Sequence, residues 1–183
     1  MTALAAAAIV GGTGFAAAAH SAYTVRGTTH IAKADADLEL GPGRFDVDTL
    51  AGPGSFSGTI TLPPVPVTRS LPGIGKVSGT IRLGPGHAEG SPAGGFSASA
   101  TWPVRLSDVR VNGVPYDVGD DCGPAEPLTT ELTSEDFAAG RGGRLESTYA
   151  IGAFANCGAA TPLINGVVSG PGNTLVLDLT PAG

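Results

Sequence analysis

The sequence predicts an all-β domain: one antiparallel β-sandwich or partly closed barrel of about ten short strands. Two observations carry this. Between turn signals, apolar residues alternate with polar ones at period two, the pattern of a strand with one buried face. The 183 residues also hold 29 Gly and 15 Pro, several grouped as Gly-Pro-Gly, and many short strands need such punctuation. Apolar residues make up 42% of the chain, enough for a real core, so the Gly and Pro content reads as turns and not as disorder.

Residues 1–21 read as an export signal. Ala3 to Val10 is an apolar run that Phe15 to Ala19 extends, and Ala19-His20-Ser21 offers small residues for cleavage. Cleavage is expected after Ser21, with Ala19 second. No Lys or Arg precedes the run, and glycines 11, 12 and 14 interrupt it, which disfavours a membrane-spanning helix. The folded domain is then 22–183.

The first mature strand is expected over residues 23–33, followed by a strand over 34–40 with Ala36, Leu38 and Leu40 on one face. Gly41-Pro42-Gly43 and Gly52-Pro53-Gly54 are read as type II turns around a short strand holding Phe45 and Val47, and Gly84-Pro85-Gly86 and Gly170-Pro171-Gly172 as two more. Residues 55–83 hold two near-copies of one strand, Ser57-Gly58-Thr59-Ile60-Thr61-Leu62 and Ser78-Gly79-Thr80-Ile81-Arg82-Leu83. Between them stand four prolines and two glycines. The unit reads as one long β-hairpin with a stiff tip. Its apolar set is Phe56, Ile60, Leu62, Val65, Val67, Leu71, Ile74, Val77, Ile81 and Leu83.

Phe96, Ala98, Ala100 and Trp102 then alternate with small polar residues, and Trp102 is expected in the core. Pro103 marks an edge or bulge. Val109 to Tyr116 flank Asn112-Gly113, the strongest hairpin signal in the chain. A short strand over 128–132 follows, then a single helical turn capped by Ser134, a strand over 145–154, an ambiguous helix or loop over 161–168, and a closing strand through Leu175, Leu177 and Leu179.

Cys122 and Cys157 are expected to pair, as two cysteines in an exported chain most often do. Closing a loop of roughly 36 residues contributes about 3–4 kcal/mol in the chain-entropy model. The pair contains no Cys-x-x-Cys and no intervening His, which disfavours a metal or redox role.

Catalytic signals are sparse. His30 and His87 read as surface residues, no Gly-x-Ser-x-Gly elbow occurs, and no phosphate loop is complete. The chain is therefore read as no enzyme, with no cofactor and no catalytic residue. Asp117, Asp120 and Asp121 crowd the loop beside Cys122 and are weak calcium candidates, but the regular calcium-loop spacing is missing and solvated acids are the favoured reading. The net charge of −6, with no Lys or Arg cluster, disfavours nucleic acid.

Several motifs go together: Val118-Gly119-Asp120-Asp121-Cys122, Tyr149-Ala150-Ile151, Phe154-Ala155-Asn156-Cys157-Gly158, Thr161-Pro162-Leu163-Ile164-Asn165, Ser169-Gly170-Pro171-Gly172-Asn173-Thr174 and Leu40-Gly41-Pro42-Gly43. On them the chain from Tyr23 onward resembles a loose group of small exported actinobacterial β-proteins. The resemblance implies a secreted or cell-envelope location and carries over no catalytic residue.

The expected function is a secreted or cell-envelope, non-enzymatic β-domain serving as a structural or ligand-binding module, with a cell-wall or lipid component or a second copy of itself as partner. The alternative is an oligomeric outer-envelope channel that inserts the 55–83 hairpin, since eight extended residues span roughly 26 Å, close to a bilayer core. A secreted hydrolase is the third and weakest reading.

Overall fold

The computed structural model describes residues 20–49, 54–91 and 96–183. In chain order the strands are β1 (His20–Ile31), β2 (Ala36–Thr49), β3 (Phe56–Thr61), β4 (Val65–Leu71), β5 (Gly75–Leu83), β6 (Gly86–Ser91), β7 (Phe96–Trp102), β8 (Val104–Val111) and β9 (Val114–Pro115). Then come β10 (Gly123–Pro124), β11 (Leu128–Ser134), β12 (Gly143–Ile151), β13 (Phe154–Ala155), a short helix α1 (Thr161–Val167) and β14 (Gly170–Pro181). The protein is all-β and antiparallel, as expected.

Of the two expected architectures the barrel is the one adopted, and it is fully closed. Its strand order is β1-β14-β12-β11-β7-β6-β3-β2, with β2 returning to β1. Most inward residues are apolar: Val25, Phe45, Ile60, Leu132, Leu145 and Leu177 are all essentially buried, and Thr29, Thr130 and Ser147 are buried polar ones among them. Outward residues such as Arg26, Thr129, Glu131, Arg144, Glu146 and Asp178 are exposed. Closure removes the sheet edges that an open antiparallel sheet must protect.

Two bulges let one strand keep its apolar residues inside while their parity changes. In β2 the inward set is even at Ala36 and Leu40, then odd at Phe45. Between these, Val25 pairs with Gly43 and Gly27 with Leu40, so β2 carries one extra residue. The expected turn at Gly41-Pro42-Gly43 is therefore a correction: the segment lies inside β2, with a cis Gly41-Pro42 bond and Gly41 at φ 93°. β8 does the same: Leu106 and Val109 come to one face because Asp108 sits at φ 55° in a bulge opposite β5. Asp tolerates this left-handed backbone better than most residues.

A second, four-stranded sheet has the order β4-β5-β8-β9. It corrects the single hairpin expected over 55–83. The first near-copy is β3, paired with β2 and β6 in the barrel. The second is β5, paired with β4 and β8 in the other sheet. Leu62-Pro63-Pro64 separates β3 from β4, and two consecutive prolines cannot continue a ladder, so the chain leaves the barrel there. The actual hairpin is β4–β5, turned at Pro72-Gly73-Ile74.

Several smaller expectations also change. Ser134 caps no helical turn; its hydroxyl accepts the Asp136 and Phe137 N–H groups in a bend. Gly170-Pro171-Gly172 opens β14 and is no turn of its own. The Gly52-Pro53-Gly54 turn and most of the leader lie outside the described residues. His20 and Ser21 pair with Asp48 and Val47 as the first residues of β1. Asn112 and Gly113, at φ 51° and 84°, make the expected two-residue turn between β8 and β9.

Candidate functional site

The two ends of the barrel are built differently. At one end Tyr23, Phe45, Phe56, Phe96 and Phe137 interlock, with neighbouring ring centroids 4.6–6.4 Å apart. The bend after β11 closes this end: the Gly140 N–H donates to the Tyr23 hydroxyl at 3.0 Å, and the Arg144 N–H donates to Asp136 Oδ1. That bond, with one from the Ser134 hydroxyl, holds the Asp136 carboxyl below its ordinary value.

At the other end the chain leaves the barrel between β3 and β6, between β7 and β11, and between β12 and β14. The first two excursions supply β4, β5, β8 and β9, which stand over the barrel mouth as a roof. The third supplies α1. The Cys122–Cys157 disulfide joins the second excursion to the third, with the two Cα atoms 4.4 Å apart. The pairing read from the sequence is thus present. Buried beside it are Val118 and Ala160, with Leu106, Val109, Phe154 and Ile164 packed against them. Side chains tie the roof down. Arg69 donates to the Ala34 and Asp35 carbonyls between β1 and β2. Lys33 Nζ donates to the Asn165 and Ser169 carbonyls at the end of α1. Asn165 clamps β13 through both backbone groups of Phe154.

Between roof and mouth lies a partly open cavity of about 470 Å³. Its roof is the apolar face of the second sheet, with Val67, Val77, Ile81, Leu106 and Val109. One wall is α1, with Leu163, Ile164 and Val167. Its floor is the barrel mouth, with Ile31, Leu40, Leu62, Trp102 and Leu175. Tyr116 and Leu163 line the cavity and are 41% and 42% exposed, so the cavity reaches the surface beside the end of β9 and α1; Arg69, Arg105 and Ala159 on its lining are exposed too.

Few polar groups face this space. On the floor, Thr29 Oγ1 donates to the Thr174 carbonyl and so accepts from the Tyr149 hydroxyl at 2.7 Å. Burial raises the Tyr149 phenol above its ordinary value, against the opposing pull of the Thr29 bond. Thr130 is hydrogen-bonded to Ser147. Trp102 is 3% exposed, and its Nε1 is the one buried side-chain nitrogen or oxygen without a partner among the described residues. The indole lies over Gly86, its neighbour across the β6–β7 pair. A Cβ on that glycine would fall 1.9 Å from Nε1, so only glycine leaves room for the ring. Arg69 and Arg105 are the two cationic residues on the lining.

The ten apolar residues read from 55–83 divide between two places. Phe56 and Ile60 fill the barrel core. Leu62, Val65, Val67, Leu71, Ile74, Val77, Ile81 and Leu83 all line the cavity. The calcium candidates lie outside it. Asp117 and Asp120 face a polar groove on the far side of β8, where Asp117 accepts the Gly119 N–H. Asp121 stands 3.7 Å from Arg105. No three of His, Cys, Asp and Glu form a metal-ligand group among the described residues. His30 binds Asp37 at the surface, and His87 is exposed.

The cavity was missed in the sequence. One available signal was the apolar set of β8, which switches from Val104 and Leu106 to Val109 and Val111 and so marks a bulged strand with one long apolar face.

Comparison with family models, with curated proteins and with solved structures gives no match. The functional reading rests on the cavity itself.

Proposed function

We propose that the protein is an extracytoplasmic, non-enzymatic binding module that holds one long acyl or hydrocarbon chain in the cavity between barrel and roof. The observation that carries this reading is a partly open cavity of about 470 Å³ lined almost wholly by aliphatic and aromatic side chains. At about 30 Å³ per water-sized group this is room for roughly fifteen such groups, the bulk of one lipid chain. Each methylene moved there from water contributes about 0.8 kcal/mol. Eight-stranded barrels have interiors that side chains fill or that hold one small ligand, and this barrel does the first at one end and supports the second at the other. A cell-wall or cell-envelope lipid is the natural source of such a chain.

The exported address rests on the apolar leader and on the disulfide, which oxidising compartments favour. Cleavage after Ala19 leaves β1 whole, whereas cleavage after Ser21 removes two of its pairs with β2. The mass of the mature protein from its native host distinguishes the two, and retention of Met1 would sink the address. A channel through the barrel has less support. A membrane barrel carries apolar residues outward and polar ones inward, the reverse of this one.

The test of the binding reading is titration of delipidated protein with long-chain alkanes, fatty acids and their esters, with native mass spectrometry. One chain per protein is expected. Failure to bind any of them would remove the proposal.

A further inference from the structure

The lining carries one uncompensated charge, and its place describes the occupant more closely. Along β4 the odd positions Val65, Val67, Arg69 and Leu71 all line the cavity, so Arg69 takes an inward place in an otherwise apolar row. Its neighbour across the β4–β5 ladder, Val77, lines the cavity too. A guanidinium stays charged at any ordinary pH, and beside apolar surface it needs polar partners for its head. Arg69 finds them at the barrel rim, where Nη2 donates to the Ala34 and Asp35 carbonyls and so uses both of its hydrogens. Those acceptors are neutral, and the positive charge remains. Nε and Nη1 have no partner among the described residues.

No carboxylate of the described residues lies within ion-pair distance of Arg69. Asp35 offers it a carbonyl, and Asp37 is engaged by His30. Arg105, the other cation on the lining, differs, because Asp121 stands 3.7 Å away. Lys33, in the same β1–β2 connection as Ala34 and Asp35, adds a second positive charge whose Nζ also rests on carbonyls. Arg69 both lines the cavity and is exposed, so it stands where the cavity meets water. An anion there keeps part of its hydration and gains a charge-assisted bond, whereas one deeper among the aliphatic side chains would have neither.

We infer that the occupant is a long-chain fatty acid whose tail fills the cavity and whose carboxylate accepts a hydrogen bond from Arg69 at the rim. The inference rests on the binding reading above and names the head group that it leaves open.

The experiment uses ionised palmitate and methyl palmitate on the intact mature protein, with affinities from displacement of a solvatochromic dye. The two share a tail, so their affinity ratio reports the head alone and cancels any general loosening of the roof. In Arg69→Gln the ratio of palmitate to methyl palmitate affinity is expected to fall about 3–10-fold, the size of one charge-assisted bond at a partly exposed site. Arg69→Lys keeps the charge and is expected to keep most of the ratio. Should the glutamine variant fold poorly, the wild-type protein supplies a second reading. The chain has a net charge of −6, so without a local cation added salt would screen a repulsion and raise the ratio. With Arg69 as the partner, the ratio is expected to fall as salt rises from about 0.01 M to about 0.15 M. An unchanged ratio in Arg69→Gln, a wild-type ratio that stays level or rises with salt, or loss of the ratio in Arg105→Gln instead of Arg69→Gln each overturns the inference while leaving the binding reading intact. No uptake of either ligand or of a plain alkane overturns both.

Discussion

One barrel with two ends offers an internal comparison. Both ends are made by the same eight strands with the same alternation of inward apolar and outward polar residues. At the aromatic end, five rings and a short bend fill the lumen. At the roofed end, the inward residues are Thr29, Leu40, Thr130, Tyr149 and Leu175, and the space between them and the second sheet stays open. The difference teaches that an alternating strand states which side chains face inward but not whether they meet. Volume decides that, and at the roofed end the chain spends its excursions on enclosing space instead of filling it.

The comparison breaks most sharply at the aromatic end. Phe45→Ala removes a ring that is 1% exposed and packed between Tyr23 and Phe56. A loss of about 3–5 kcal/mol is expected in denaturant unfolding. Next in size is the joint Cys122→Ser and Cys157→Ser change, which frees the roof's second excursion from its third. About 3–4 kcal/mol is expected, with proteolysis appearing first in residues 103–127 and 152–169. A loss shared evenly with β11 and β12 would contradict the view that the bond serves the roof.

A paired overpacking experiment sharpens the contrast directly. Ala98→Leu, at a position 1% exposed and crowded against β6, is expected to cost about 1–3 kcal/mol. Ile81→Phe, pointing into the cavity, is expected to cost less than about 1 kcal/mol while abolishing ligand uptake. Equal costs would mean that the roofed end is as tightly packed as the other.

Smaller effects test the polar groups. Tyr149→Phe removes the bond to Thr29 and is expected to cost about 0.5–1.5 kcal/mol. The phenol titrates higher in the fold than in the unfolded chain, so its contribution is present below about pH 10 and is lost as pH rises further. The phenylalanine variant should lack that alkaline loss in its melting temperature. Asp136 has the opposite sign. Its folded value lies below the ordinary one, so its contribution is present above about pH 4 and is lost as pH falls through the folded value. Asp136→Asn should flatten the acid limb of the melting curve slightly and leave ligand binding unchanged.

Particular residues show how far the sequence could be read. The Asn112-Gly113 turn and the burial of Trp102 follow from local pattern and local sterics, whereas Gly41-Pro42-Gly43 reads locally as a turn and is instead a bulge inside one strand. The cysteine pair was legible from composition alone. Strand pairing was not. Ser57-Gly58-Thr59-Ile60 and Ser78-Gly79-Thr80-Ile81 are the same four residues, yet one pairs with β2 and β6 and the other with β4 and β8. Nothing within either tetrad distinguishes them; Pro63 and Pro64 between them do, by making the chain leave the barrel. The cavity residues of 65–83 were identified as one apolar set, but an apolar face looks the same in sequence whether it packs on side chains, on lipid or on enclosed space.

By itself, then, the amino-acid order determined the antiparallel strands, the inward residues of each and the cysteine pair, because period-two alternation and turn chemistry act over a few neighbouring residues. Closure of the barrel, the roof across one mouth, the cavity beneath it and the packing of the Trp102 indole over Gly86 were decided only by the tertiary structure. They depend on which distant strands meet and how much volume their side chains leave between them, and neither quantity is carried by any local stretch of the chain.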